Sequence, residues 1–72
     1  MGTIHVNFDW RKRVENEKNE LDMKIAKLET FLKDAPNNLE ISLHQLYLLS
    51  EQLVCMKRYS FILNERLRSE NK

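Results

Sequence analysis

Between residues 10 and 69 apolar side chains recur every three or four positions, and the pattern breaks at Ala35-Pro36-Asn37-Asn38. Two helix-period segments joined by so short a break constrain the fold severely. Pro36 drives Ala35 out of helical geometry, and asparagine tolerates a left-handed turn. A connection this short makes the flanking helices antiparallel neighbours. The chain has one Gly and one Pro in 72 residues, so little else punctuates it. The expected fold is all-α: an antiparallel two-helix hairpin of helix 9–34, turn 35–41 and helix 42–69, preceded by an extended N-terminal arm at 1–8.

The first helix is one-sided. Trp10, Val14, Leu21, Ile25, Leu28 and Leu32 fall in a narrow stripe with Phe31 at its edge, and the opposite face is charged. Glu20/Lys24 and Glu29/Lys33 have the favourable i, i+4 order, worth a few tenths of a kcal/mol each. Ser42-Leu43-His44-Gln45 matches a capping box that opens the second helix, with Leu39 or Ile41 packed beneath it.

The second helix is apolar on several sides. Leu46, Leu49, Leu53, Met56, Leu63 and Leu67 form the seam expected to meet the first helix. Leu43, Tyr47, Val54 and Phe61 form a second stripe roughly 100° round, and Leu48, Cys55, Tyr59 and Ile62 a third. A helix apolar nearly all round is a buried helix. One neighbour covers one stripe, and the others exceed the apolar patches that soluble monomers expose. Leu43, Tyr47, Leu48, Val54, Cys55, Phe61 and Ile62 are therefore the expected interface of a homo-oligomeric helical bundle, with Cys55 as buried packing.

Size points the same way. A chain this short is marginal without disulfides, a metal or oligomerisation. Cys55 is alone, and His5, His44 and Cys55 lack zinc-type spacing, so neither a metal nor a cofactor is implied. A lone reduced cysteine suits the cytoplasm.

The arm, Thr3 to Trp10, alternates strictly: Ile4, Val6, Phe8 and Trp10 are apolar, the residues between them polar. That reads as an extended arm tucked onto the helices, or as a strand pairing with another copy's arm. Asn7 or Asp9 is placed to cap the helix that follows.

Catalytic motifs are missing: there is no Gly-rich phosphate loop, nucleophile elbow or metal pair, and the expectation is a protein that is not an enzyme. Net charge is +1, with 12 Lys+Arg against 11 Asp+Glu, which argues against counterion-release binding to nucleic acid. There is no membrane-length apolar run. The most suggestive chemistry is at the open end of the hairpin. Antiparallel pairing brings Trp10, Arg11, Lys12 and Arg13 beside Tyr59, Phe61, Arg66 and Arg68, with Lys57 and Arg58 two turns further in. Cations beside aromatic faces suit a nucleotide: charge for phosphate, a ring for the base. Trp10, Arg11, Arg13, Tyr59, Arg66 and Arg68 are the candidate ligand residues. The plainer reading is a mixed-charge surface with helix-end arginines placed by the dipole, since Glu15, Glu17 and Glu65 are interleaved.

The order Leu48-Leu49, Gln52-Leu53, Met56, Tyr59, Ile62-Leu63 and Arg66-Leu67 resembles a widespread family of small helical-hairpin proteins of tailed phages, crAss-like phages among them. Arg13-Val14, Glu17, Glu20-Leu21, Lys24-Ile25, Lys27-Leu28 and Phe31-Leu32 agree in the first helix. The resemblance spans about residues 10–68, and the Gln, Met, Tyr and Arg positions carry most of it. In size and build the chain is also similar to phage sponges that trap cyclic nucleotide signals of bacterial immunity. The resemblance implies a phage-encoded homo-oligomer in the bacterial host cytoplasm that sequesters such a signal, and it transfers no ligand-contacting residue. The alternative is a helical interaction module or inhibitor that binds a host protein through its exposed stripes.

Overall fold

The computed structural model describes residues 2–34 and 40–69, with side chains described from Trp10 onward. Two helices, α1 (Gly2–Asp34) and α2 (Leu43–Ser69), pack against each other as a hairpin. Its described residues hold no strand. The molecule is a rod with principal extents of 57 × 16 × 15 Å. Cross-helix contacts run in descending order, from Arg11 with Leu67 through Asp22 with Ser60 to Glu29 with Lys57, as antiparallel pairing requires. The turn expected at Ala35-Pro36-Asn37-Asn38, and Leu39 with it, lies outside the described residues.

The expected arm is helix. α1 begins at Gly2, so Asn7 and Asp9 are interior positions rather than caps. A lone strand leaves a row of backbone donors and acceptors without partners, whereas a helix satisfies them internally. The β-branched Thr3, Ile4 and Val6 cost only a few tenths of a kcal/mol each in a helix. The alternation was also ambiguous, because Ile4 and Phe8 stand four apart and fit a helical face as well as a strand face.

The interface follows the apolar periods. Val14, Leu21 and Leu63 are buried, Leu63 at 1% exposure, and Trp10, Ile25, Met56 and Leu67 pack around them. Leu28 and Leu32 on α1, and Leu46, Leu49 and Leu53 on α2, are half-buried along the same seam. Each fully buried Leu or Val stabilises the hairpin by about 1.5–3 kcal/mol. The start of α2 carries the serine half of the expected capping box, and among the described residues the Gln45 side chain makes no return bond to the Ser42 N–H. Ser42 Oγ accepts from the Gln45 N–H at 3.1 Å, and the Ser42 carbonyl accepts from the Leu46 N–H at 3.0 Å. Ile41 is half-buried beneath this turn.

Charge pairing differs from the expected pattern. Glu29 reaches across to Lys57 at 2.7 Å instead of along its own helix to Lys33. Among the described residues no ion pair joins Glu20 to Lys24, while Lys18–Asp22 at 2.7 Å and Arg11–Glu15 at 3.7 Å take the i, i+4 geometry. Side-chain reach decides such surface choices, since each pair is worth at most about 1 kcal/mol.

Candidate functional site at the open end of the hairpin

The open end is built where the third and fourth turns of α1 meet the last turns of α2. Trp10 opens the apolar stripe of α1 and is half-buried against the Val14/Leu21/Leu63 cluster, which fixes its ring. Arg66 on α2 lays its guanidinium over that ring, 5.6 Å from the centroid. A cation over an indole face is attracted by about 0.5–1 kcal/mol where exposed. The pair presents a flat guanidinium, with donors still available, beside an aromatic ring.

Arg11 is committed to structure. Its Nη1 donates to the Leu67 carbonyl at 3.0 Å, and its Nε lies 3.7 Å from the Glu15 carboxylate. The last four carbonyls of a helix lack intrahelical partners, and the dipole favours cations there, so Arg11 clasps the end of α2 to α1. Arg68 turns to Glu65 of its own helix at 3.1 Å. Arg13 and its neighbour Lys12 are exposed on α1 and make no ion pair or hydrogen bond among the described residues. Tyr59 is exposed and lies on the same side of α2 as Arg66, but seven residues, about 10 Å, nearer the turn. The six residues proposed from the sequence therefore divide. Trp10 and Arg66 are in contact, Arg11 stands beside them as a clasp, Arg68 is paired with Glu65, and Arg13 and Tyr59 stand apart.

Lys57 and Arg58 do not extend the cluster. Lys57 is held by Glu29, and Arg58 sits 5.8 Å over the Phe61 ring. Among the described residues a groove of about 490 Å³ lies elsewhere, lined by Ala26, Glu29, Thr30, Leu32, Lys33 and Leu53. It is open to solvent and roughly 24 Å along α1 from Trp10. The cation–aromatic pair and this groove are thus in different places on one hairpin.

The residues assigned to an interface stand uncovered. Leu43 is 84% exposed and Val54 62%; Tyr47, Leu48, Phe61 and Ile62 are exposed with them, as are Tyr59 and Met23. Cys55 is exposed too, so it is not packing within the hairpin itself. It is off the one face of α2 that α1 covers, so within a single hairpin nothing buries it. His44 is exposed, as a surface residue in the first turn would be.

A polar link across the seam went unread in the sequence. Asp22 Oδ1 accepts from the Ser60 hydroxyl at 2.5 Å, and Oδ2 from the Lys18 ammonium at 2.7 Å. The Lys18 hydrogen bond, then that of Ser60, holds the Asp22 carboxyl below its ordinary value. The available signal was position: Ser60 lies between seam residues Met56 and Leu63, opposite the middle of α1.

Among the described residues, no helix is long and apolar enough to cross a membrane, and no group of three or more His, Cys, Asp or Glu is arranged to hold a metal. A family model described as Sequestin matches residues 9–69, most of the chain. No curated protein and no solved structure matches it.

Proposed function

The chain belongs to the Sequestin family, and from that premise we propose that it is a non-enzymatic, phage-encoded homo-oligomer that sequesters a cyclic nucleotide-type signal of host immunity. The family's name is consistent with a protein that binds and holds another molecule. One observation carries the choice of ligand class: the Arg66 guanidinium lies on the Trp10 face, and Arg13, though not in contact with them, is exposed and unpaired among the described residues. Guanidinium donors suit phosphate oxygens, and an aromatic face suits a base. In this reading a second copy supplies a further wall to the ligand at the open end. Holding a ligand needs no nucleophile or general base, so the reading asks for no catalytic group. The expected setting is the cytoplasm of the bacterial host.

The test is thermal shift and titration calorimetry against cyclic oligonucleotides and cyclic ADP-ribose isomers. A ligand at a hundred times its Kd adds about 2.7 kcal/mol to the folded state. For a chain this size that raises Tm by roughly 10 °C or more. Arg66→Glu and Arg13→Glu are expected to abolish the shift while the oligomer's mass is unchanged. Unchanged binding heats in both variants overturn the reading.

The second reading is a helical module that docks a host protein on the exposed apolar stripes of α2, favoured by Leu43, Tyr47, Val54 and Phe61 standing uncovered. It predicts a chain that is monomeric or dimeric alone and forms a complex of fixed stoichiometry with one host protein.

A further inference from the structure

The outer face of α2 repeats every seven residues. Tyr47, Val54 and Phe61 form one exposed column; Leu48, Cys55 and Ile62 form the adjacent one, about 100° away. Glu51 and Arg58 stand between them. By the 3.6-residue period the Val54 column is about 180° round from Leu63 and the Cys55 column about 80°, so the face is centred away from α1 with its Cys55 side nearer the seam, and both columns stay exposed. Each column is symmetric about its middle. Val54 has Tyr47 and Phe61 seven positions to either side, and Cys55 has Leu48 and Ile62.

We propose that this face is self-complementary, and that a second copy of the chain pairs on it with the two α2 helices antiparallel about a two-fold axis passing between Val54 and Cys55. The proposal rests on the self-associating reading above and adds the surface, direction and register. In that arrangement Tyr47 meets Phe61 of the second copy, and Leu48 meets its Ile62. Glu51 meets its Arg58, twice by symmetry. A two-fold interface requires one patch to complement itself in this way.

Two further observations favour a second copy. Neither Glu51 nor Arg58 has an ion-pair partner among the described residues, and the Arg58 guanidinium lies over the Phe61 ring. Seven residues separate them along the helix, about 10 Å, too far to pair within one chain. Area gives the other argument. The hairpin exposes 6001 Å² at a mass of 8.7 kDa. Size scaling gives roughly 4,700 Å² for a compact monomer of that mass. The excess is more than the roughly 800 Å² each partner contributes to a standard stable interface.

Cys55, the single cysteine, makes the test direct. Helices packed at about 8–10 Å bring the two thiols within reach of a short bis-maleimide. The full chain at micromolar concentration is expected to give a covalent dimer, which Cys55→Ser removes without dissociating the assembly. Arg58→Glu sets carboxylates against each other at both contacts and raises the dissociation constant at least tenfold by sedimentation. Adding Glu51→Arg restores opposite signs and recovers most of the affinity. Assembly without the Cys55 cross-link, or equal behaviour of the single and double charge variants, overturns this face and leaves sequestration by another assembly standing. A monomer that still gives a ligand thermal shift overturns the pairing but not the binding. A monomer that shifts with no ligand overturns both.

Discussion

α1 and α2 come from one chain, share one seam and differ in what remains after it is made. α1 spends its apolar stripe inside the hairpin: Val14 and Leu21 are buried, Trp10 and Ile25 pack round them, and most of the rest of its described surface is charged or polar. α2 contributes the most buried side chain of all, Leu63, and still leaves Leu43, Tyr47, Val54 and Phe61 more than half exposed. Hydrophobic burial is the main favourable term in folding, and it is roughly proportional to area removed from water. A helix that retains that much uncovered apolar surface has unfinished burial. The difference teaches that the seam uses up most of the apolar surface of α1 and leaves a second apolar face on α2, the face for which pairing between chains is proposed.

The sharpest way to break the comparison is to truncate equivalent residues on the two sides of α2. Leu63→Ala is expected to cost about 2–5 kcal/mol, enough to unfold a chain with so small a core. Leu43→Ala, at an 84% exposed site, is expected to change the urea midpoint hardly at all in the monomer. If the two lose stability equally in dilute solution, the inner and outer faces of α2 are not distinct. Next in size is an outer-face charge. Val54→Asp leaves the seam intact, so helical circular dichroism at low concentration is expected to persist. Self-association should fall by at least tenfold, about 1.4 kcal/mol. Loss of helicity in the monomer would show that Val54 supports the hairpin itself.

The seam was legible in the sequence because burial against one neighbour repeats with the helical period. Val14, Leu21 and Leu63 could be assigned from spacing, and Ser42 from its place before the first turn of α2. The beginning of α1 was not legible. Ile4 and Phe8 fit both a two-residue and a four-residue repeat, and only the absence of a partner strand favours the helix. The open end was half legible. Complementary charge and aromatic character brought Trp10 and Arg66 together on paper and do so in the structure. Arg11 bonds to a backbone carbonyl, a partner that no side-chain pattern encodes. Exposure of Cys55 follows from one-sided cover, whereas reading it as buried presupposed the assembled state.

The open end tests whether α2 also needs α1 for its chemistry. Trp10→Ala removes the ring beneath Arg66, and a double-mutant cycle with Arg66→Ala is expected to return a coupling of about 0.5–1 kcal/mol. Arg11→Met removes the donor to the Leu67 carbonyl and is expected to cost about 1–2 kcal/mol, with faster amide exchange confined to the last turn of α2. A uniform rise in exchange along α2 would count against a local clasp.

The smallest effect is also the most specific to the seam. Asp22 is a polar reach from α1 to α2, through the Ser60 hydroxyl, and it holds the Lys18 ammonium on its own helix. Both hydrogen bonds favour the carboxylate, so its folded pKa lies below the ordinary value of 3.8. A carboxyl depressed on folding contributes stability that is fully present above the unfolded pKa and is lost as pH falls through the folded one. The Asp22 side chain is 43% exposed, so solvent screening limits the contribution to less than about 1 kcal/mol. Asp22→Asn can still accept from Ser60 but carries no charge. Its stability is expected to trail the parent's near neutral pH, with the gap closing below about pH 4 as the parent's carboxyl takes up its proton. Ser60→Ala removes the cross-helix donor alone and is expected to narrow the pH dependence without abolishing it, because Lys18 remains. Urea midpoints measured at successive pH values decide the matter. Parallel curves for the parent and Asp22→Asn would mean that the seam is held by its apolar residues alone, and that α1 reaches α2 only through the cover it provides.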